Sequence, residues 1–138
     1  MRRGKMKLSD ILASSEKGLK PALEQNAEFL EHLRSCLATP CIKHSVLCEN
    51  SIQRIGVCGG AGSFLINSAI RYSCYAFVTG DLKYHEFFDA DGKILLAYVG
   101  HYESEVSTKD LLIDIITKKF PKFAVRLSKI DTNPIRYF

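Results

Sequence analysis

No stretch of this 138-residue chain approaches the run of about 20 apolar residues that a membrane-spanning helix needs. The basic N-terminus (Arg2, Arg3, Lys5, Lys7) is not followed by the apolar segment of a secretory signal, because Ser9, Asp10, Ser14, Ser15 and Glu16 interrupt it. Cys-x-x-Cys pairs are absent and the five cysteines are odd in number, so no disulfide framework is expected and reduced thiols in a cytoplasm are the economical reading. Cys36, Cys41, His44 and Cys48 lack the spacing of a zinc ribbon or knuckle, and Cys58 and Cys74 sit among apolar neighbours as small hydrophobes. A basic stripe interleaved with aromatics is also missing. Beyond the first seven residues the Lys and Arg behind the net charge of +4 are scattered, which argues against a nucleic-acid surface.

What is present suits one globular domain. Apolar residues make up 46% and charged ones 25%, and a chain of this length buries on the order of 70% of its unfolded surface. Residues 1–26 carry little signal: Leu8, Ile11 and Leu12 have helical spacing that Gly18 and Pro21 break, so this part is expected to be a leader or the remnant of an upstream region. From residue 27 the pattern sharpens. Phe29, Leu30, Leu33 and Leu37 share one helical face, ended by Thr39-Pro40. Residues 41–47 alternate as a short strand, and Ile52, Ile55 and Val57 read as another that runs into Gly59-Gly-Ala-Gly-Ser63.

A helix with Phe64, Leu65, Ala69 and Ile70 follows, then a buried strand over 75–79, a helix over 83–90, the turn Asp91-Gly92 and a third buried strand over 93–99. Leu111, Leu112, Ile115, Ile116 and Phe120 form a helical stripe over 107–120, closed by Pro121. Alternation of Phe123, Val125 and Leu127 predicts a last, half-buried strand, after which Ile135, Tyr137 and Phe138 could pack back on the body. This order predicts an α/β fold, a single layered lobe with a mixed, mostly parallel sheet flanked by helices. Right-handed crossovers would then bring the strand ends near Gly59, Gly80 and Gly100 to one edge of the sheet.

Three constellations lie at those ends. The run Cys58-Gly-Gly-Ala-Gly-Ser63 is neither a Walker A motif nor a GxGxxG fingerprint; it is either a tight strand-to-helix turn or a loop whose amides face an anion. Asp81, His85 and Asp89 fall at i, i+4, i+8, which on a helix is one face. They would either cap and solvate that helix or serve as ligands and their hydrogen-bonded partners. Asp89-Ala-Asp-Gly92 departs from a calcium loop once Lys93 and the apolar run begin, and reads as a turn. In Gly100-His-Tyr-Glu-Ser-Glu105 an immediate helix would put His101 and Glu105 on one face, whereas a continuing strand would align His101, Glu103 and Glu105. One His and one Glu make at most half a metal site; a solvated polar strand end is the other reading.

Taken together, Val57-Cys-Gly-Gly-Ala-Gly-Ser-Phe-Leu65, Val78-Thr-Gly-Asp-Leu-Lys-Tyr-His-Glu-Phe-Phe-Asp89, Gly100-His-Tyr-Glu-Ser-Glu105 and the closing Asn133-Pro-Ile135 resemble a known family. Over residues 27–138 the chain is similar to the C-terminal lobe of the Nif-three-like, dinuclear-metal-centre hexameric proteins, also called GTP cyclohydrolase I type 2 homologues. The resemblance implies two related lobes per subunit, a ring-shaped hexamer and two divalent metal ions held between the lobes, with zinc, iron and manganese not distinguished. It implies that His101 and Glu105 are ligands, with Glu103 a bystander. Gly60, Gly62, Ser63, Asp81 and His85 become candidates to face the substrate or to support the ligands; no catalytic residue is assigned.

The family's other ligands, an adjacent histidine pair and an aspartate, belong to an N-terminal lobe, and no His-His pair occurs here. The resemblance therefore implies a truncated product, a fragment or half of a split protein. Two expectations follow. One is a partial metal-binding lobe of a metal-dependent hydrolase acting on a nucleotide-like small molecule. The other is a non-catalytic module that binds a complementary lobe, a regulator or further copies of itself.

Overall fold

The computed structural model describes residues 22–138. Helix α1 (Ala22–Leu37) is followed by the two-residue strand β1 (Lys43–His44) and by β2 (Ile55–Cys58). A 3-10 turn (Ser63–Leu65) runs into α2 (Ile66–Arg71), and β3 (Ala76–Thr79) leads to a longer 3-10 helix (Tyr84–Ala90). Then come β4 (Leu95–Tyr98), the five-residue α3 (His101–Glu105) and α4 (Thr108–Lys119). Strand order is β1-β4-β3-β2, with β2, β3 and β4 parallel and β1 antiparallel on the edge of β4. The expected mixed, mostly parallel α/β sheet is the one observed. No helix among the described residues is long and apolar enough to cross a membrane.

The apolar runs of β3 and β4 are buried on both faces, so residues of alternating parity feed two cores. Ala76, Val78, Leu95, Ala97 and Val99 pack with Phe29 of α1 on one side. On the other, Phe77, Ile94 and Leu96 pack with Ile66 and Ala69 of α2 and with Ala90. Both crossovers thus lie on one face and α1 on the other. Asn26, fully buried, donates through Nδ2 to the carbonyls of Cys48 (3.1 Å) and Asn50 (3.3 Å), which fastens α1 to the loop after β1. Cys48 is buried in the first core, Cys58 and Cys74 flank the second, and Cys36 and Cys41 are exposed.

Two expectations are corrected. The helix expected over 83–90 is present as the 3-10 helix Tyr84–Ala90, and Asp81 precedes it, so the shared face expected for Asp81, His85 and Asp89 does not form. With three residues per turn, i, i+4, i+8 no longer marks a face. Residues 123–127 form no strand: Phe123 and Leu127 are exposed and none of the described strands pairs with this segment, so alternation there had no sheet to join. The stripe on α4 also stays open, with Leu111, Leu112 and Ile115 each about half exposed.

Candidate metal centre

In the parallel register Cys58 pairs with Thr79 and Thr79 with Tyr98, so three strands end side by side. The chain leaves each end through glycine: Gly59-Gly60, Gly80-Asp81 and Gly100-His101. Thr79 ties the first two ends together. Its hydroxyl donates to the Gly60 carbonyl (3.1 Å) and accepts from the Gly62 amide (3.0 Å), while the Gly80 and Asp81 amides donate to that same carbonyl at 2.9 and 3.0 Å. The amides of Gly60 and Gly62 are thus engaged inside the protein, Gly60 with Ser104 Oγ at 2.9 Å and Gly62 with Thr79 Oγ1 at 3.0 Å.

Helix α3 begins directly after Gly100, which decides between the two geometries left open by the sequence: His101 and Glu105 share a face. His101 Nδ1–H donates to Asp81 Oδ2 at 2.6 Å, and Nε2 lies 3.5 Å from Glu105 Oε2. The hydrogen bond and charge of Asp81, with a further contribution from the charge of Glu105, hold the imidazole above the usual histidine range. A carboxylate on Nδ1 fixes the ring orientation and presents Nε2 outward, the arrangement usual behind a metal-bound histidine. Gly60 (φ +64) closes the site from the loop side: a Cβ there would lie 2.6 Å from Glu105 Oε1 and 3.3 Å from His101 Nε2.

Other candidates are placed apart. Ser63 begins the 3-10 turn that follows the Gly-rich loop. His85 stands exposed on that helix, its described electrostatic neighbour being Glu86, and no described contact joins it to His101. Beyond the pair, a groove of ≈ 560 Å³ runs between α3 and the C-terminal segment, lined by His101, Tyr102, Glu105 and Lys109 on one side and Ile130 and Pro134 on the other.

Glu103 is where reading the sequence fell short. Expected to be a bystander, it is 6% exposed, and its Oε1 accepts hydrogen bonds from Asn133 Nδ2 (3.2 Å) and the Tyr137 hydroxyl (3.1 Å). Burial, that hydrogen bond and the carboxylate's charge push the Tyr137 phenol up to about 12. Since an unfolded tyrosine ionises near pH 10, this contact contributes its stability in full below about pH 10 and loses it as pH rises toward 12. Tyr137 is therefore expected to be the last tyrosine to ionise in a spectrophotometric titration. Tyr137→Phe should delete that final step; a step that survives the substitution belongs to another residue.

A family profile matches residues 12–134, and it is that of Duf34/NIF3 (NGG1p interacting factor 3). The chain belongs to the Duf34/NIF3 family. A Staphylococcus epidermidis relative, a GTP cyclohydrolase 1 type 2 homolog, is 29% identical over 114 residues, covering 80% of this chain and 31% of its own length. A Staphylococcus aureus relative of the same name gives the same figures. This Duf34/NIF3 chain thus matches only about a third of the length of these curated relatives. Among solved structures, Staphylococcus aureus protein SA1388 superposes with a TM-score of 0.67 at 25% identity, over 88% of this chain and 40% of that one. A Bacillus cereus protein related to NIF3 gives 0.66 at 22% identity, over 82% and 32%, and bears on the fold alone.

For this Duf34/NIF3 chain, the donors present fit two positions of a metal site and no more. A separation of 3.5 Å between Nε2 and Oε2 suits two ligands of a tetrahedral set with legs of about 2.1 Å. Asp81 is committed to the other ring nitrogen, and no group of three His, Cys, Asp or Glu among the described residues could hold a metal ion.

Proposed function

We propose that this chain supplies part of a dinuclear metal centre in a metal-dependent hydrolase of the GTP cyclohydrolase I type 2 kind. Residues 27–138 would act as the C-terminal lobe, and the remaining ligands would come from a second lobe, on this polypeptide or another. His101 would bind through Nε2 and Glu105 through a carboxylate oxygen. The observation that carries this reading is the His101–Glu105 pair itself, 3.5 Å apart on one helix face and braced by Asp81 at 2.6 Å. Divalent zinc, iron or manganese would supply Lewis acidity and an activated water.

The chain's own residues have separate tasks. Asp81 holds the Nδ1 proton and with it the ring's orientation. Gly60 leaves room for both donor groups, and the Gly60–Ser104 bond fixes the loop against α3. Ser63 and His85, on the segments leaving neighbouring strand ends, are the candidates for the substrate side. The groove beside the pair and the name that the curated relatives share, GTP cyclohydrolase 1 type 2 homolog, support a nucleotide-like substrate. Assembly into a ring hexamer in the cytoplasm belongs to the same proposal.

The test is to measure bound metal and hydrolysis of nucleoside triphosphates for the purified chain, alone and with a complementary N-terminal lobe. Weak binding alone, with tight binding and turnover after complementation, is the expected pattern. Tight binding by the chain alone would refute the half-site, and no metal or turnover after complementation would refute the hydrolase. One observation favours a second reading as an interaction module: the half-exposed Leu111, Leu112 and Ile115 of α4 form an apolar face. Capture of the second lobe without metal would support that reading instead.

A further inference from the structure

We infer that Glu103 is a positioning residue for the His101–Glu105 pair, acting through the C-terminal segment that it ties down. The inference rests on the proposed ligand role of that pair, but its first measurement does not require metal. A five-residue helix has too few internal hydrogen bonds to set its own orientation. Helix α3 is instead gripped from two sides. On one, the Gly60 amide donates to Ser104 Oγ at 2.9 Å and that hydroxyl donates to the His101 carbonyl at 2.8 Å. On the other, Glu103 takes the hydrogen bonds of Asn133 and Tyr137.

The second grip comes from a segment shaped to deliver it. The Asn133 amide donates to Asp131 Oδ1 at 2.9 Å and the Ile135 amide to Asn133 Oδ1 at 3.1 Å, two consecutive side-chain turns that aim Asn133 Nδ2 at Glu103. Packing alone does not ask for a carboxylate here. Glu103 Oε2 is buried with no partner, and an apolar side chain of the same shape would avoid that cost. What the carboxylate adds is a two-donor anchor. The same segment forms the far wall of the groove beside His101 and Glu105, so releasing the anchor frees both the ligand helix and that wall.

Hydrogen–deuterium exchange on the whole chain tests this, comparing wild type with Asn133→Ala, Tyr137→Phe and Glu103→Gln. Losing one hydrogen bond to a charged group should speed exchange of the Ser104, Val106 and Gly60 amides on the order of tenfold. The strands β3 and β4 should stay unchanged, which excludes general unfolding. Glu103→Gln, whose amide oxygen can accept the same two bonds, should stay near wild type. At fixed pH the ring nitrogen shifts of His101 should also move away from a single Nδ1–H form in Asn133→Ala and Tyr137→Phe. Zinc affinity of the chain complemented with its second lobe should fall roughly tenfold in these two variants, in proportion to the same hydrogen bond. Acceleration confined to residues 128–138, with α3 and the His101 signature unmoved, would overturn the positioning role even if zinc affinity fell. A wild-type assembly that binds no zinc while α3 still responds would overturn the ligand assignment and uphold the grip on α3.

Discussion

His101→Ala is expected to weaken metal binding by the complemented centre by more than about 100-fold, beyond the roughly 10–100-fold that losing an outer hydrogen-bonding partner costs. The side chain is half exposed and its removal opens no core cavity, so the circular dichroism spectrum and melting temperature should be unchanged. With the imidazole gone, Glu105 is left as the one donor on this face and Asp81 has nothing to orient. Asp81→Asn should fall inside the smaller range, because the Asn side-chain oxygen can accept the hydrogen bond of Nδ1–H but brings no charge. Competition against a chelator of known affinity measures both variants. Binding within threefold of wild type in His101→Ala would remove His101 from the ligand set.

Gly100→Ala should be the most damaging single change to the framework of the site, lowering stability by about 3 kcal/mol or more. Two independent causes combine. Gly100 has φ 93 and ψ 140, a conformation that side chains with a Cβ scarcely adopt, worth about 1–3 kcal/mol. An alanine Cβ would also overlap Glu103 Oε2, forcing a buried carboxylate away from Asn133 and Tyr137, worth a further 1–3 kcal/mol or so. For a chain of this size the melting temperature should drop on the order of 10 °C. Calorimetry decides it: a loss below about 1 kcal/mol would mean that the turn into α3 relaxes without strain.

Much of the frame could be read from local pattern. Residues 76–78 and 94–99 form nearly continuous apolar runs because both faces of β3 and β4 are covered, and the glycines at 80 and 100 mark where the chain must leave the sheet. That pattern is enough to place the strand ends near Gly59, Gly80 and Gly100 along one edge of the sheet. What could not be read depends on contacts between distant residues. Glu103 meets Asn133 and Tyr137 across 30 and 34 positions, and no periodicity reports such a pairing. The closing Asn133-Pro-Ile135 motif was the available signal, since a turn-forming Asn near a chain end has to spend its side chain somewhere. The alternation at Phe123, Val125 and Leu127 misled for the opposite reason. Period two describes a strand only when another strand offers a ladder, and none of those described lies beside it.

The strand order also makes the two margins of the sheet chemically unequal. One ends in the two residues of β1, where exposed Lys43 sets a charge against any newcomer. The other ends in Ile55–Cys58, which carries no charged side chain, and among the described residues no strand pairs with its outer side. Growth of this sheet by addition of a neighbouring strand is therefore directional. An assembly that extended it would meet at β2, the strand whose following loop brings Gly59 and Gly60 against Glu105 and His101.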